Sequence, residues 1–262
     1  MSALYAEISG RGRRDLVLLH GWGLNLRVWD ELALSLARRF RVITLDLPGY
    51  GGSEWDGAAH TPAAQAWRVH ETLAPLTTRY SLLGWSLGGQ FALDLAAAMP
   101  AGIERLVLVA TTPRFLAAPG WRFGLEPAAL AQLAAQLHAD PQRAVNEFLQ
   151  LQVRGCAPRT AARVLDALRG ALHSHGAAHP QALAWGLTRL KEADLRPALS
   201  LVRTPALVIA GGRDRITRPS ASRALARALP KGRYRQLGGA AHAPFLSHPG
   251  QFASLLNDFL RG

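Results

Sequence analysis

The chain has 262 residues, of which 49% are hydrophobic, with a net charge of +12 and a single cysteine. This length fits one domain with an insertion better than two independent folds, and the large apolar fraction supplies a core without metals or disulfides. The lone Cys156 excludes an internal disulfide, and no apolar run reaches the roughly 20 residues of a membrane span. The first 14 residues lack the apolar stretch of a signal peptide. We therefore expect a soluble, cytoplasmic monomer.

The positive charge comes almost entirely from arginine, because 28 of the 30 basic residues are Arg and only Lys191 and Lys231 are lysine. An excess of this size can attract an acidic partner over a long range. An Arg-rich and Ala-rich composition is also typical of a GC-rich genome, and both explanations stay open. The chain has no nucleic-acid-binding module, no zinc-ligand spacing and no Lys/Arg block, so we expect no nucleic-acid partner.

Short apolar runs alternate with helical patterns in the first 112 residues. This alternation predicts a mostly parallel sheet covered by helices. In chain order we predict a strand at Leu16–Leu19, a helix at Val28–Arg38, strands at Arg41–Leu45 and Tyr80–Leu83, a helix at Leu87–Ala98 and a strand at Leu106–Ala110.

The alternation stops between Pro113 and Leu190, where only helical patterns are found. Asp140-Pro141 in this stretch is typical of an N-cap followed by proline at the first helical position. The predicted fold class is therefore α/β, with a core formed by residues 1–112 and 191–262 and a helical lid inserted at 113–190. The core is completed by predicted strands at Ala206–Ala210 and Tyr234–Leu237 and by helices at Ser220–Ala228 and Pro249–Leu260.

The segment Gly84-Trp85-Ser86-Leu87-Gly88-Gly89 follows a predicted strand and opens a predicted helix. In that context a G-x-S-x-G sequence is typical of a nucleophile elbow. The sharp turn strains the serine backbone, and Gly84 and Gly88 stand where a side chain would clash. We predict that Ser86 is a catalytic nucleophile. A helix N-cap serine with packing glycines is the alternative.

A second glycine-containing loop, His20-Gly21-Trp22-Gly23, follows the Leu16–Leu19 strand. The second part of an oxyanion hole belongs at this place in the fold. We predict that the backbone N–H groups of Trp22 and Leu87 are its two donors. His20 is predicted to brace the loop by hydrogen bonding.

Nine histidines compete for the role of general base. His242 lies in a loop of small residues between the last predicted strand and the last helix, where the chain order serine, acid, histidine requires it. Asp214 follows a strand and is predicted to orient that imidazole. Asp46 also ends a strand, but the proline and glycines after it favour a turn anchor. The predicted triad is therefore Ser86, His242 and Asp214.

This triad needs no cofactor and no metal, and we expect none. His173, His175 and His179 have a faintly metal-like spacing. Because no acidic or cysteine residue accompanies them, we interpret them as part of a solvated loop.

Together these motifs resemble those of a known family. Across essentially its full length the chain resembles the α/β-hydrolase superfamily, and more narrowly the pimeloyl-[acyl-carrier protein] methyl ester esterases of biotin synthesis. Many hydrolases share the serine and histidine motifs, whereas the Trp22–Asn25 and Phe148–Gln152 segments discriminate. The matching motifs are His20-Gly21-Trp22-Gly23-Leu24-Asn25, Gly84-Trp85-Ser86-Leu87-Gly88-Gly89, Phe148-Leu149-Gln150-Leu151-Gln152 and Ala240-Ala241-His242-Ala243-Pro244-Phe245.

The resemblance implies hydrolysis of the methyl ester on a pimeloyl chain carried by acyl carrier protein, through an acyl-enzyme. Val145, Phe148, Leu149 and Gln152 fall at helical spacing and share one face. Packing against the lid core is the alternative role of the apolar ones, while Gln152 suits a polar group of the ligand. The substrate contacts that the resemblance implies are Trp22, Ser86, Leu87, Phe148, Leu149, Gln150, Leu151, Gln152 and His242.

A basic lid surface meets the acyl carrier protein in this family. Between residues 113 and 190 eight arginines oppose four acidic residues. Arg143 matches the family position, and Arg154, Arg159 and Arg163 are further candidates, with a solvated arginine face as the alternative.

Three other functions use the same features. A general short-chain carboxylesterase acting on small-molecule esters needs the same triad. A carbon–carbon bond hydrolase of ring-fission products shares the motifs and the lid. A non-catalytic ligand receptor on this fold belongs to a different class. None of these functions involves a membrane.

Overall fold

The computed structural model describes residues 2–57 and 61–261. Seven strands form one sheet in the order β1-β3-β2-β4-β5-β6-β7. The edge strand β1 is antiparallel to β3, and the other neighbouring pairs are parallel. The strands are β1 (Ala6–Ser9), β2 (Arg14–Leu19), β3 (Phe40–Leu45), β4 (Tyr80–Trp85), β5 (Ile103–Val109), β6 (Ala206–Gly211) and β7 (Gly232–Leu237).

Proline begins eight of the ten α-helices in the described residues. Its fixed φ and missing N–H suit the first helical turn, where the N–H has no helical partner. Two 3₁₀ helices, Leu26–Trp29 and Arg196–Leu201, are also present. The α-helices are α1 (Asp30–Leu36), α2 (Pro62–Leu73), α3 (Leu87–Ala98), α4 (Pro127–Ala139), α5 (Pro141–Gln152), α6 (Pro158–Ser174), α7 (Pro180–Glu192), α8 (Pro219–Ala228), α9 (Pro244–Ser247) and α10 (Pro249–Arg261).

The predicted α/β fold class and the predicted strands are confirmed, but β1 and α2 were missed. Strand β1 is a four-residue edge strand without fully buried side chains, so it lacks the apolar run of the inner strands. Helix α2 carried a start signal, because Thr61 caps it by accepting a hydrogen bond from the N–H of Ala64 at 3.1 Å, and Pro62 follows.

The sheet separates two hydrophobic cores. Along β2, Val17 and Leu19 enter one core, while Leu16 and Leu18 enter the other. Successive strand residues point to opposite faces, so helices on both sides of the sheet require an uninterrupted apolar run. This is why the inner strands were recognisable in the sequence.

Helices α4 to α7 lie between β5 and β6 and form a helical insertion (residues 113–190, continued by α7 to 192). Its two chain ends are joined at its base, where the N–H of Leu195 donates to the carbonyl of Pro113 at 2.8 Å. Arg114 and Arg196 both pair with Asp194 there. Hydrogen bonding to Arg196 holds the pKa of the Asp194 carboxyl below its usual range. The insertion is therefore anchored firmly where it leaves the sheet.

No helix in the described ranges is long and apolar enough to cross a bilayer.

Candidate active site

Ser86 joins β4 to α3 with a backbone φ of +55°, in the left-handed region that a side chain disfavours. A Cβ placed on Gly84 would lie 2.3 Å from the carbonyl oxygen of Gly88. A Cβ placed on Gly88 would lie 2.4 Å from the carbonyl oxygens of Leu19 and His20. At both positions another backbone segment leaves no room for a side chain, which is why the sequence analysis expects glycine there.

A threonine two residues beyond the end of β5 supports the elbow. The N–H of Ser86 donates to the carbonyl of Val109 at 2.9 Å, and the hydroxyl of Thr111 donates to the carbonyl of Ser86 at 2.7 Å. Between them, Ala110 has a positive φ of +44°. The strained serine is thus held from β5 by hydrogen bonds on both sides of its own backbone. Thr111 has no motif around it, and sequence reasoning missed it.

The three predicted triad side chains come together in a buried row. The Nε2 atom of His242 lies 3.0 Å from the Ser86 Oγ, and its Nδ1 atom lies 2.8 Å from the Asp214 Oδ2. The exposed fractions are 7% for Ser86, 1% for His242 and 4% for Asp214. With Nδ1–H donated to the carboxylate, the lone pair of Nε2 faces the serine hydroxyl, as a general base requires.

Backbone amides fix the carboxylate of Asp214. Its Oδ1 atom accepts hydrogen bonds from the N–H groups of Ile216 at 2.8 Å and Thr217 at 3.0 Å. These donors satisfy the oxygen that does not face the imidazole. The orientation of His242 is therefore set by a carboxylate that is itself held in place.

The loop that carries His242 is held from two directions. The indole N–H of Trp85 donates to its carbonyl oxygen at 2.8 Å. Its own N–H donates to the carbonyl oxygen of Gln152, the last residue of α5, at 3.1 Å. The helical insertion therefore contacts the loop of the proposed base directly.

The predicted oxyanion loop (residues 20–25, below simply the oxyanion loop) passes beside Ser86. A Cβ on Gly21 would lie 3.3 Å from the Cβ of Ser86. Leu87 is the first residue of α3, so its N–H has no intrahelical acceptor and is available to a ligand. Trp22 is buried, and its indole N–H donates to the carbonyl of Leu183 at 2.9 Å. The segments that carry both predicted donors thus flank Ser86.

His20 braces this loop as a neutral imidazole. Its Nδ1 atom lies 2.8 Å from the carbonyl of Gly21, and its Nε2 atom accepts the N–H of Leu47 at 2.9 Å. Complete burial lowers the pKa of His20. Asp46 accepts the N–H groups of Leu26 at 2.7 Å and Gly52 at 2.8 Å, as a turn anchor does. Neither His20 nor Asp46 takes part in the triad.

Residues 16–249 match the model of the α/β hydrolase fold family. The chain belongs to the α/β-hydrolase family. The resemblance drawn from its motifs is therefore confirmed.

Relatives of this hydrolase extend over nearly its whole length. It is 40% identical over 255 residues to the pimeloyl-[acyl-carrier protein] methyl ester esterase of Nitrosomonas europaea, covering 97% of this chain and 98% of that protein. It is 40% identical to the protein of the same name from Edwardsiella ictaluri, covering 100% of this chain and 99% of that protein. Among solved structures, a bromoperoxidase from Bacillus anthracis matches with a TM-score of 0.87 at 22% identity, over 99% of this chain and 95% of that one. That last likeness shows the fold alone.

The predicted substrate segment of this hydrolase forms the last turns of α5. Phe148 is buried with its ring centroid 5.0 Å from that of Trp22, and Leu149 is also buried. Leu151 is half-buried and Gln150 is exposed, so Gln150 points away from the other members. Gln152 is 1% exposed, and within the described residues neither polar atom of its side chain has a hydrogen-bond partner. An unpaired buried amide is costly unless a ligand or water satisfies it.

The arginines predicted to meet a carrier protein differ in their surroundings. Arg143 pairs with Glu147 on the same exposed face of α5. Arg163 donates to the carbonyl oxygen of Leu246 at 2.8 Å and so ties α6 to α9. Arg154 and Arg159 are exposed.

The expectation of a solvated histidine loop is wrong for His175. Its side chain is only 14% exposed, and its Nε2 atom lies 2.8 Å from the Asp46 Oδ2. His173 belongs to the last turn of α6, and His179 caps α7 by accepting the N–H of Gln181 at 3.2 Å. The spacing of the three follows the end of one helix and the start of the next. Within residues 2–57 and 61–261 no group of three or more potential ligand side chains could hold a metal ion.

Cavities border the helical insertion at several places. One of about 230 Å³ lies beside the oxyanion loop and is bordered by Gly23, Val145 and Leu183. A larger one of about 740 Å³ lies between α4 and α7 and contains none of the predicted site residues. A third cavity of about 560 Å³ is bordered by Gly155 of the insertion and by the predicted triad acid Asp214, so volume alone does not locate the chemistry.

Proposed function

We propose that this hydrolase cleaves the methyl ester of a pimeloyl group carried by acyl carrier protein, the reaction that gives its 40% identical relatives their name and that belongs to biotin synthesis. One observation carries the proposal: a buried Ser86–His242–Asp214 row with 3.0 and 2.8 Å contacts, built on a left-handed elbow. The products are methanol and a free carboxylate on the carrier-bound chain.

In the acylation step, the Ser86 Oγ attacks the ester carbonyl while Nε2 of His242 takes its proton. The amides of Trp22 and Leu87 hold the negative charge that develops on the carbonyl oxygen. Asp214 stabilises the imidazolium through its 2.8 Å contact with Nδ1. The imidazolium then returns the proton to the departing methoxide, which leaves as methanol.

In the deacylation step, water takes the place of methanol. His242 removes a proton from this water, which attacks the acyl carbonyl under the same two amides. The collapsing intermediate breaks the bond to the Ser86 Oγ, which recovers its proton from His242. The enzyme is regenerated with one ester and one water consumed, and the step needs no metal or cofactor.

The helical insertion acts as a lid in this proposal. Phe148 provides apolar surface beside Trp22, Leu149 packs in the other hydrophobic core behind it, and the unpaired amide of Gln152 is suited to a polar group of the ligand. The position of Gln152 supports this role, because its backbone carbonyl accepts a hydrogen bond from the N–H of His242. Gln150 and Leu151 complete the segment, with Gln150 exposed on its outer side.

The exposed face of the same insertion is proposed to receive the acidic carrier protein. Arg154 and Arg159 are exposed and are the first candidates to contact the carrier protein, whereas Arg143 forms an ion pair with Glu147. Arg163 is committed to the carbonyl of Leu246, so its first role is to hold α6 in place. A general esterase acting on free esters would have no use for this surface, and that difference separates the two functions.

The nucleophile is tested with a fluorophosphonate probe and with Ser86→Ala. We expect one probe molecule bound per chain, at Ser86. We also expect a loss of turnover on the order of a millionfold in Ser86→Ala, because serine, base and acid act as a unit. A folded Ser86→Ala protein that keeps its activity would exclude the assignment, and a chain that binds without hydrolysing would point to a receptor.

The substrate is tested by comparing kcat/KM for pimeloyl-carrier methyl ester, methyl pimelate and p-nitrophenyl butyrate at low and high salt. A carrier docked by arginines should give a strong preference for the carrier-bound ester that weakens as salt rises. The double variant Arg154→Gln/Arg159→Gln should reduce that preference. The matched control is Arg227→Gln, which removes an exposed arginine from α8 and should retain it. Equal activity on free esters at all salt concentrations would favour the general esterase.

A further inference from the structure

The two ends of the oxyanion loop are held by the sheet core. At its start, His20 contacts the carbonyl of Gly21 at 2.8 Å and accepts the N–H of Leu47 at 2.9 Å. Just beyond its end, the N–H of Leu26 donates to the Asp46 Oδ1 at 2.7 Å. These anchors fix where the loop leaves β2 and where it enters the 3₁₀ helix.

From Trp22 to Asn25 the loop contacts three helices of the insertion. Gly23 faces α5, where a Cβ on it would lie 3.4 Å from the Val145 Cγ1. The indole of Trp22 donates to the carbonyl of Leu183 in α7 at 2.9 Å. The amide of Asn25 donates from Nδ2 to the carbonyl of Ala171 in α6 at 2.8 Å. The segment that carries the proposed Trp22 donor is therefore positioned by the insertion as well as by the sheet.

Asn25 makes two different hydrogen bonds with one buried side chain. Its Oδ1 atom accepts the N–H of Arg27 at 3.0 Å, which caps the 3₁₀ helix, while its Nδ2 atom makes the bridge to Ala171. The residue is 1% exposed, so both bonds lie away from solvent. The cap is internal to the core, and the bridge joins the core to α6.

We propose that Asn25 is a positioning residue whose bridge to Ala171 sets the oxyanion loop against Ser86, so that catalysis depends on the placement of the helical insertion. This inference rests on the proposed hydrolase function and adds to it a residue outside the triad and the oxyanion donors. Asn25 does not touch the reacting atoms. It acts through Trp22, three residues earlier in the same loop.

The expected effect follows from the geometry of an oxyanion hole. Loss of one donor lowers turnover by about a hundred- to a thousandfold. A displaced donor loses part of that contribution, so we expect the bridge to be worth about ten- to a hundredfold in kcat. KM for a small ester should change little, because the ground-state carbonyl depends less on these amides than the transition state does.

Two variants separate the bridge from the cap. Asn25→Ser keeps an oxygen that can cap the N–H of Arg27 but cannot reach Ala171. Asn25→Ala removes both bonds. The matched control is Asn257→Ser in α10, where Nδ2 donates to the carbonyl of Ala253 at 2.8 Å and no predicted site residue is near in the chain.

The variants are compared on p-nitrophenyl butyrate at a temperature well below each thermal midpoint. We expect Asn25→Ser and Asn25→Ala to lower kcat by similar factors and Asn257→Ser to keep the wild-type value. Inhibition by an alkyl boronic acid, whose serine adduct mimics the tetrahedral intermediate, should weaken by the same factor as kcat/KM. The pH–rate profile should keep its midpoint, because the contacts of His242 are unchanged.

A wild-type kcat in folded Asn25→Ser would overturn the proposal and leave Asn25 as a cap. A lower thermal midpoint without weaker boronic acid binding would also overturn it, because that result describes a structural role only. If Asn25→Ala does not fold, Asn25→Ser decides alone. Fluorophosphonate labelling of the wild type distinguishes the two proposals: labelling with insensitive Asn25 variants rejects only this inference, whereas an unlabelled and inactive wild type rejects the hydrolase function as well.

Discussion

Gly88→Ala tests whether the close packing of the elbow against the oxyanion loop is essential. The added Cβ would lie 2.4 Å from the carbonyl oxygens of Leu19 and His20. Ordinary contact of this kind needs roughly 3.4 Å or more, so α3 and β2 must separate by about 1 Å. Both obstructing atoms belong to the backbone and cannot rotate away. A misplacement of about 1 Å at a reacting centre costs about a hundredfold in rate.

We expect Gly88→Ala to lower kcat/KM for p-nitrophenyl butyrate by about a hundredfold or more. The rate is divided by the concentration of folded protein, which is determined from the near-UV circular dichroism of the buried tryptophans. Gly170→Ala in α6 is the matched control, because a Cβ there meets nothing within 4 Å. It should keep full activity and raise the free energy of unfolding by about 0.5–1 kcal/mol. A fully active Gly88→Ala enzyme would refute the geometric argument for this elbow.

Three further predictions concern the supports of the site. Thr111→Val removes the 2.7 Å bond to the Ser86 carbonyl and should lower stability by about 1 kcal/mol and kcat by about tenfold, whereas Thr111→Ser should keep both. Because burial lowers the pKa of His20, the contribution of this neutral histidine to stability is complete above about pH 6.5 and is lost as the pH falls below that value, by up to about 1.4 kcal/mol per pH unit. Urea titrations at several pH values should show this slope. If the same slope persists in His20→Gln, groups other than His20 cause it. Leu149→Ala should lower the free energy of unfolding in the same titrations by about 2–5 kcal/mol, because the Leu149 side chain is fully buried. Leu34 is exposed, so the control Leu34→Ala should change this free energy by less than about 0.5 kcal/mol. Equal losses in the two variants would argue against the packing of α5.

Much of the site could be predicted because its chemistry is encoded locally. Gly84 and Gly88 are needed by a turn of five residues. Asp214 follows β6, whose apolar run is visible in the sequence, and His242 lies in a loop of small residues between β7 and the C-terminal helices. Parallel strands bring their carboxyl ends to one edge, so residues far apart in the chain meet there. The sequence also predicted the buried face of α5, since Val145, Phe148, Leu149 and Gln152 are all buried.

The supports of the site could not be predicted from local patterns. Thr111, the His175–Asp46 contact and the bridge from Asn25 to Ala171 join residues that are separated by 25, 129 and 146 positions. No periodicity or motif marks such pairs, because each depends on how two finished elements pack.

The sequence alone determined the α/β class, the inserted helices and the identity of the proposed triad. Each of these follows from short-range rules of periodicity, turn geometry and chain order. Only the tertiary structure decided that His175 contacts Asp46, that Gln150 faces outward while the amide of Gln152 is buried without a partner, and that three insertion helices hold the oxyanion loop. The physical reason is that the hydrogen-bond partner of a buried polar group is chosen by packing, which brings together atoms that the chain itself keeps far apart.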